Sequence, residues 1–335
     1  MVVFKEIILP VLLLIAGFGM LVKGADIFVE GSSKIAKKLG VSQLFIALTI
    51  VAMGTSIPET AVTLLAALQG NEDLALGNIV GTNILNIVLI LAFTAVLIPL
   101  SVSKSTIKYE IPIMTGTTVV FSFLGLGSWL FTGWHGSKAV LKDGMFSRID
   151  GVILLLLFSG YLFYLYKLAK KGKAYKEKAL VVYEKPVTWS FLILISIAGL
   201  GLIIAGSSMA VEGATRIAEK IGISQRTIGL TIVAFGTSLP EMATSVTAAI
   251  KKHHDLAVGN IVGSNIYNML FIGGITSVIK PIPYSPAFRT DSLVCIAVSV
   301  LLLLLIVMNK NKMLTRFSGA IMLCIYAAYT VSICL

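Results

Sequence analysis

Charge is what this sequence has least of. Only 13% of its 335 residues are Asp, Glu, Lys or Arg, while 57% are hydrophobic, and the mean hydropathy is +0.95. A soluble domain of this length needs far more polar surface, so that class is excluded. No polar stretch is long enough to fold as a separate soluble domain. Cysteine is nearly absent: Cys295, Cys324 and Cys334 lie in apolar segments, lack metal-site spacing, and read as small buried side chains. Histidine occurs three times, and never inside the polar motifs described below. Acidic residues are outnumbered 16 to 27, giving a formal net charge of +11. The basic residues form short clusters between apolar runs, which is the pattern of membrane-orientation signals and not of a nucleic-acid surface.

What the chain does have is apolar runs, each close to the about 20 residues a bilayer span needs. Ten candidate helices follow, over residues 7–30, 42–69, 73–98, 107–131, 149–170, 188–212, 225–250, 256–280, 287–308 and 314–334. The first run continues past Met20 without a cleavage site, so it reads as a span and not as a signal peptide. Lys34, Lys37, Lys38, Lys104, Lys108, the 167–185 cluster, Lys251, Lys252, Lys310, Lys312 and Arg316 follow odd-numbered helices, which places those connections in the cytoplasm and both termini outside a cell membrane.

The chain also repeats itself. Residues 48–86 and 230–268 align without a gap at an offset of 182, with 24 of 39 positions identical. The match extends upstream, VEGSSKIAKKLGVSQ at 29–43 against VEGATRIAEKIGISQ at 211–225. Shared Leu and Val could reflect composition, but Glu, Asn, Pro and Thr at fixed offsets could not. Residues 1–170 and 188–335 would each hold five helices, joined by a basic linker at 171–187. Five is odd, so the second copy enters the membrane from the opposite side. The expected fold is an all-α membrane protein of ten transmembrane helices in two inverted repeats, with helices broken at an ion site.

Glu59 and Glu241 lie deep inside apolar segments. A carboxylate at the bilayer centre costs at least ~2.5 kcal/mol, and two together repel unless protons or a cation neutralise them. Their surroundings favour a cation. Gly54-Thr55-Ser56-Ile57-Pro58-Glu59 matches Gly236-Thr237-Ser238-Leu239-Pro240-Glu241. Each proline lacks an N–H, so the carbonyls of Gly54 and Gly236 lose their helical partners, and those of Thr55 and Thr237 can turn toward an ion. The hydroxyls of Thr55, Ser56, Thr237 and Ser238 add neutral oxygens. A second block reads GNIVGTNILN at 77–86 and GNIVGSNIYN at 259–268. Thr82 and Asn86 share one helix face, as do Ser264 and Asn268. Gly77 with Gly81, and Gly259 with Gly263, form small-residue stripes that suit close helix packing. The donors are all oxygen, which hard cations prefer, and two carboxylates balance one Ca²⁺.

At these residues the sequence resembles the cation/calcium exchanger superfamily, especially its prokaryotic sodium/calcium exchangers, whose α-repeats carry the paired GTS(I/L)PE and GNIVG(T/S)N blocks. The resemblance covers the whole chain. It implies antiport of several Na⁺ against one Ca²⁺ by alternating access, with no enzymatic activity and no cofactor beyond the transported ions. By position, Glu59, Glu241, Thr55 and Thr237 match the calcium site. Ser56, Ser238, Thr82, Ser264, Asn86 and the carbonyls of Ala52 and Ala234 match sodium-site positions. Asn268 departs from members that carry Asp there, leaving two acidic ligands. The alternatives are a proton/cation antiporter of the same fold and a cation channel. A hydrolase built on Ser56 or Ser238 lacks a nearby histidine or lysine to act as base. Both repeats lie in one polypeptide, so the expected working unit is a monomer surrounded by lipid.

Overall fold

The computed structural model describes residues 8–132, 144–174, 188–221, 234–284 and 286–334. In order, the helices are α1 (Leu9–Leu39), α2 (Gln43–Ile46), α3 (Ala52–Thr55), α4 (Ile57–Leu68), α5 (Glu72–Leu85), α6 (Ala92–Leu97), α7 (Ile111–Thr132), α8 (Arg148–Ala174), α9 (Trp189–Lys220), α10 (Ala234–Thr237), α11 (Leu239–Ile250), α12 (His254–Tyr267), α13 (Gly273–Ile279), α14 (Pro286–Met308) and α15 (Arg316–Cys334). Wider π-helical turns fill Ala47–Val51, Asn86–Leu91, Thr106–Glu110 and Asn268–Ile272. Four short strands, β1 (Leu100–Ser101), β2 (Gly144–Phe146), β3 (Ile282–Tyr284) and β4 (Met313–Leu314), pair antiparallel as β1–β4 and β2–β3.

This is an all-α membrane protein. Among the described residues, seven helices are long and apolar enough to cross a bilayer, and the broken span Gln43–Thr55 plus Ile57–Leu68 makes an eighth. Of the expected span 225–250, residues 225–233 lie outside the described residues, as do 175–187 of the linker.

Two helices run further than the hydropathy pattern predicts. Hydropathy ends the first at 30, and the helix continues to Leu39; it ends the sixth at 212, and that helix continues to Lys220. At 1.5 Å per residue α1 is about 46 Å long, beyond the roughly 30 Å apolar core of a bilayer. Its last two turns need no apolar residues, and Lys37 and Lys38 there complement the helix dipole before Gly40 ends it in the left-handed conformation at φ 67°. The same amphipathic turns recur at the offset of 182. Glu30 pairs with Lys34 at 2.7 Å, and Glu212 with Arg216.

The structure divides into two compact units, and each draws on both sequence repeats. The first holds residues 1–56 and 168–260 and the second holds 57–167 and 261–335. In the first unit α1 and α9 pack along their length, backbone against backbone. Gly17, Gly24 and Gly31 on α1, and Gly199, Gly206 and Gly213 on α9, are seven residues apart and related pairwise by the offset of 182. A Cβ on Gly24 would lie 2.8 Å from the Gly199 carbonyl oxygen, and one on Gly206 would lie 2.7 Å from that of Gly17. Gly19, on the same helix, has nothing within 4 Å. Gly24→Leu therefore overpacks a backbone contact, at a cost of at least ~1–3 kcal/mol. We expect a clearly lower unfolding temperature in detergent for Gly24→Leu and a wild-type value for Gly19→Leu. Equal melting of the two variants would remove the close-approach explanation.

The end of α11 is anchored to this pair, because Lys251 Nζ lies 2.7 Å from Asp26 Oδ1 on α1. Just beyond, Lys252 adopts φ 63°, and its counterpart in the first repeat, Gly70, adopts φ 81°. His253 Nδ1 then makes a hydrogen bond with the Gln43 side-chain amide at 3.0 Å. Burial, reinforced by the charge of Lys251 and by His254, holds His253 below the ordinary histidine pKa. Protonation then favours the unfolded chain. The stability from this site is complete above the ordinary histidine value and declines as pH falls through and below it. The unfolding temperature is expected to drop between pH 7.5 and 5.5, and His253→Gln to flatten that drop.

The second unit is built on α5, α7 and α14, with α6 against α15. Phe121 lies tilted on Phe146, which meets Tyr284 edge-on, and a Cβ on Gly125 would lie 2.8 Å from both the Phe146 and the Tyr284 rings. Cys295 is buried here as expected. Cys324 instead lies exposed on α15, because an outward-facing helix of a membrane protein can leave a small apolar side chain toward lipid. The glycine stripes of the second polar block also pack unevenly. A Cβ on Gly259 would lie 2.7 Å from Ala47 Cβ, while Gly81 has nothing within 4 Å, so close packing explains the former and not the latter.

Candidate cation site

The two helix breaks share one backbone conformation at the serine of each motif. Ahead of the first, the Ala47–Val51 turn is π-helical, and Thr55 Oγ1 bonds back to the carbonyls of Val51 (3.1 Å) and Ala52 (3.3 Å), a habit that bends helices. The regular helix stops at Ser56, with φ −85° and ψ 14°. Ser238 has nearly the same conformation, φ −89° and ψ 2°. Pro58 and Pro240 follow two residues later, and Glu59 and Glu241 fall in the first turns of α4 and α11, where the helix dipole favours negative charge.

One expected consequence of the prolines is modified. The carbonyl freed at Gly236 is already partly satisfied, because Ser207 Oγ on α9 donates to it at 2.6 Å, leaving one of its two lone pairs. Its first-repeat counterpart, position 25, is alanine and has no hydroxyl to give.

In the first unit, Glu241 is fully buried, and Ser56 Oγ donates to its Oε1 at 2.9 Å. The serine of the first repeat's motif thus meets the carboxylate of the second. Thr55 and Ser238 are also fully buried and Thr237 nearly so. The Ala52 carbonyl, which Thr55 Oγ1 already reaches, also accepts from the Ser56 N–H at 3.2 Å. Ala234 opens α10. Behind the carboxylate, Asn260 Nδ2 donates to the Glu241 carbonyl (3.4 Å) and to Ser245 Oγ (3.0 Å), while its Oδ1 accepts from Thr55 Oγ1 at 3.2 Å.

The second unit holds the other carboxylate, and its support is built identically. Asn78 Nδ2 donates to the Glu59 carbonyl (3.3 Å) and to Thr63 Oγ1 (2.8 Å). Asn78 and Asn260 are therefore braces that fix the backbone of each glutamate. The helix carrying Glu59 packs on α5 and on the Asn268–Ile272 turn. Glu59, Thr82, Asn86, Ser264 and Asn268 are all buried here. So are Asn83 and Asn265, which sequence reasoning left without a definite role although both stand in the repeated block.

Sequence reasoning also missed Glu110, a third fully buried carboxylate, in the second unit. Tyr164 on α8 donates to its Oε1 at 2.7 Å. A matching pair joins Tyr329 on α15 to Asp291 on α14 at 2.9 Å. The sequence sets neither acid apart, because Glu110 follows Lys108 and Asp291 follows Arg289 at the polar end of a helix, outside the repeated motifs. Among the described residues no three Asp, Glu, His or Cys side chains gather into one metal-binding cluster. The donors in each unit are single carboxylates with hydroxyl and amide oxygens, a set suited to hard cations.

Buried acids just beyond paired helix breaks, in a chain of long apolar helices, are features of an ion-handling membrane protein. The family model for "Sodium/calcium exchanger protein" matches residues 9–167 and 191–335. The chain belongs to that family. A putative antiporter, CaxA of Alkalimonas amylolytica, is 37% identical over 94% of this chain and 95% of its own length. The sodium/calcium exchanger MaX1 of Methanosarcina acetivorans is 31% identical over 96% and 97%. The sodium-calcium exchanger NCX_Mj, solved after soaking in 2.5 mM Na⁺ and 0.1 mM Ca²⁺, superposes with a TM-score of 0.80 at 31% identity, covering 97% of this chain and 99% of that one.

Proposed function

We propose that this chain is a secondary antiporter that exchanges several Na⁺ for one Ca²⁺ by alternating access, and that the exchange is electrogenic. The observation that carries the reading is the twofold construction of the acid site. Two glutamates stand in helix first turns beyond matched breaks, each braced by an asparagine, and one already accepts a hydrogen bond from the other repeat's serine. Glu59 and Glu241 are proposed as the charged calcium ligands, with Thr55 and Thr237 as neutral ones. Ser56, Ser238, Thr82, Ser264, Asn86, Asn268 and the carbonyls of Ala52 and Ala234 are proposed to serve Na⁺. Two carboxylates match the charge of one Ca²⁺, and removal of that ion leaves a doubly negative site that Na⁺ neutralises. Calcium and sodium thus compete through charge, which is what coupled exchange requires.

The ten-helix, inverted-repeat plan with both termini outside, in a cell membrane, belongs to this proposal, as does a monomer as the working unit. A second reading, exchange of two H⁺ for one Ca²⁺, is favoured by the same count of two carboxylates. Calcium uptake into proteoliposomes, with Na⁺, K⁺ or H⁺ gradients imposed one at a time, separates them. Sodium-driven uptake insensitive to a proton gradient supports the first, and proton-driven uptake without sodium replaces it. If co-expressed Glu59→Gln and Glu241→Gln chains restored each other's transport, the monomer would be abandoned.

A further inference from the structure

Four asparagines of the second unit form a closed clasp. Asn83 Nδ2 donates to the Asn265 main-chain carbonyl and Asn265 Nδ2 to that of Asn83, both at 3.0 Å. Asn86 Nδ2 donates to Asn265 Oδ1 at 2.9 Å, and Asn268 Nδ2 to Asn83 Oδ1 at 3.0 Å. All four side chains are 0–1% exposed. The π-helical turns that begin at Asn86 and Asn268 start beside them in both repeats.

The orientation of every amide follows from one fact. A main-chain carbonyl can only accept, so the NH₂ of Asn265 must face the Asn83 carbonyl. Its Oδ1 then faces Asn86, which must answer with its own NH₂. The oxygen of Asn86 is left over, and the same steps from Asn83 leave over the oxygen of Asn268. Asn86 Oδ1 and Asn268 Oδ1 are indeed buried and without a hydrogen-bond partner among the described residues. Flipping either amide would set oxygen against oxygen.

We propose that Asn265 and Asn83 are positioning residues. Asn265 holds Asn86, and Asn83 holds Asn268, each with its amide oxygen presented to a transported cation. The two outer asparagines thereby become fixed neutral ligands, oriented from across the repeat. This deepens the proposed exchange function and rests on Asn86 and Asn268 being ion ligands.

The test is the sodium dependence of calcium flux in proteoliposomes made from full-length chains. A neutral hydrogen-bonded ligand contributes about 3- to 10-fold, so Asn86→Ala is expected to weaken apparent Na⁺ affinity by that factor with a near-wild-type maximal rate. Asn265→Ala is expected to give the same factor. The double variant Asn86→Ala/Asn265→Ala should be no worse than either single one, because both act through one oxygen. Asn83→Ala combined with Asn86→Ala should multiply, because Asn83 acts through Asn268. If Asn265→Ala cannot be purified folded, Asn265→Leu serves instead: it fills nearly the same space but has no oxygen to accept from Asn86. Multiplying effects in the Asn86/Asn265 pair, or a fall in maximal rate alone, overturn the positioning role. An Asn86→Ala variant with unchanged sodium affinity removes the ligand reading itself, and the inference with it.

Discussion

Glu241→Gln is expected to abolish calcium flux while leaving the fold intact, and Glu59→Gln to do the same. Each substitution removes one of the two charges available to a divalent ion. A single unit-charge pair at 4 Å is worth about 4 kcal/mol at an effective dielectric of about 20, so calcium affinity should fall by at least ~10³-fold. The hydrogen bonds survive. In the Glu241→Gln variant, Ser56 Oγ can donate to the new amide oxygen as it does to Glu241 Oε1, and Asn260 and Asn78 hold main-chain carbonyls that the substitutions do not touch. A neutral amide is also cheaper to bury than a carboxylate. Radioactive calcium uptake by reconstituted variants, beside their melting temperatures, separates charge from folding. Substantial flux in a well-folded Glu241→Gln protein would end that residue's assignment.

Membrane potential should drive the exchange, and Asn268→Asp should change its terms. On the proposed site, Asn86 and Asn268 would supply oxygen without charge, so a bound state with more than two Na⁺ would be net positive. Exchange of three Na⁺ per Ca²⁺ moves one charge, worth ~2.3 kcal/mol per 100 mV, which is roughly a 50-fold shift in the calcium gradient sustained at equilibrium. Calcium flux in vesicles clamped at different potentials, under fixed sodium gradients, measures it. A flux that ignores potential would point to two Na⁺ or two H⁺ per Ca²⁺. In the variant, residue 268 must still face Asn83 Oδ1, which now receives an N–H. A carboxylate has no hydrogen to offer there, and only its acid form restores the bond. Asn268→Asp is therefore expected to alter apparent ion affinity or to add a pH dependence that the wild-type profile lacks, and a pH profile and ion affinity identical to wild type would count against it.

The parts of this protein legible in its sequence are those where burial makes polarity expensive. Glu59, Glu241 and their Pro-containing breaks stand out because an acid deep in an apolar run is costly and because the second copy repeats them, whereas Glu110, equally buried but beside Lys108 and unrepeated, does not. Contacts between distant segments are less legible. The spacing of Gly17 and Gly24, and of Gly199, Gly206 and Gly213, is plain in the sequence but gains meaning only once α1 is known to lie on α9. The asparagine clasp pairs residues 179 to 185 positions apart, so nothing in either block alone distinguishes Asn83 from a helix-packing residue. Ser207 is invisible for another reason. It serves the Gly236 carbonyl from another helix, and the repeat gives no hint, since its counterpart is Ala25. The ends of α1 and α9 run long because hydropathy reports where lipid stops and not where a helix stops.

Gly70 and Lys252 occupy the same place in the two repeats, and both lie in the left-handed region. Glycine enters it freely, whereas a residue with a Cβ does so at a cost of roughly 1–2 kcal/mol. The second repeat thus makes the same turn without the residue that makes it easy. Its backbone path is held by its neighbours against the preference of the side chain on it. The two repeats agree in geometry at a position where their residues differ, and Lys252 carries the difference as a small, standing strain.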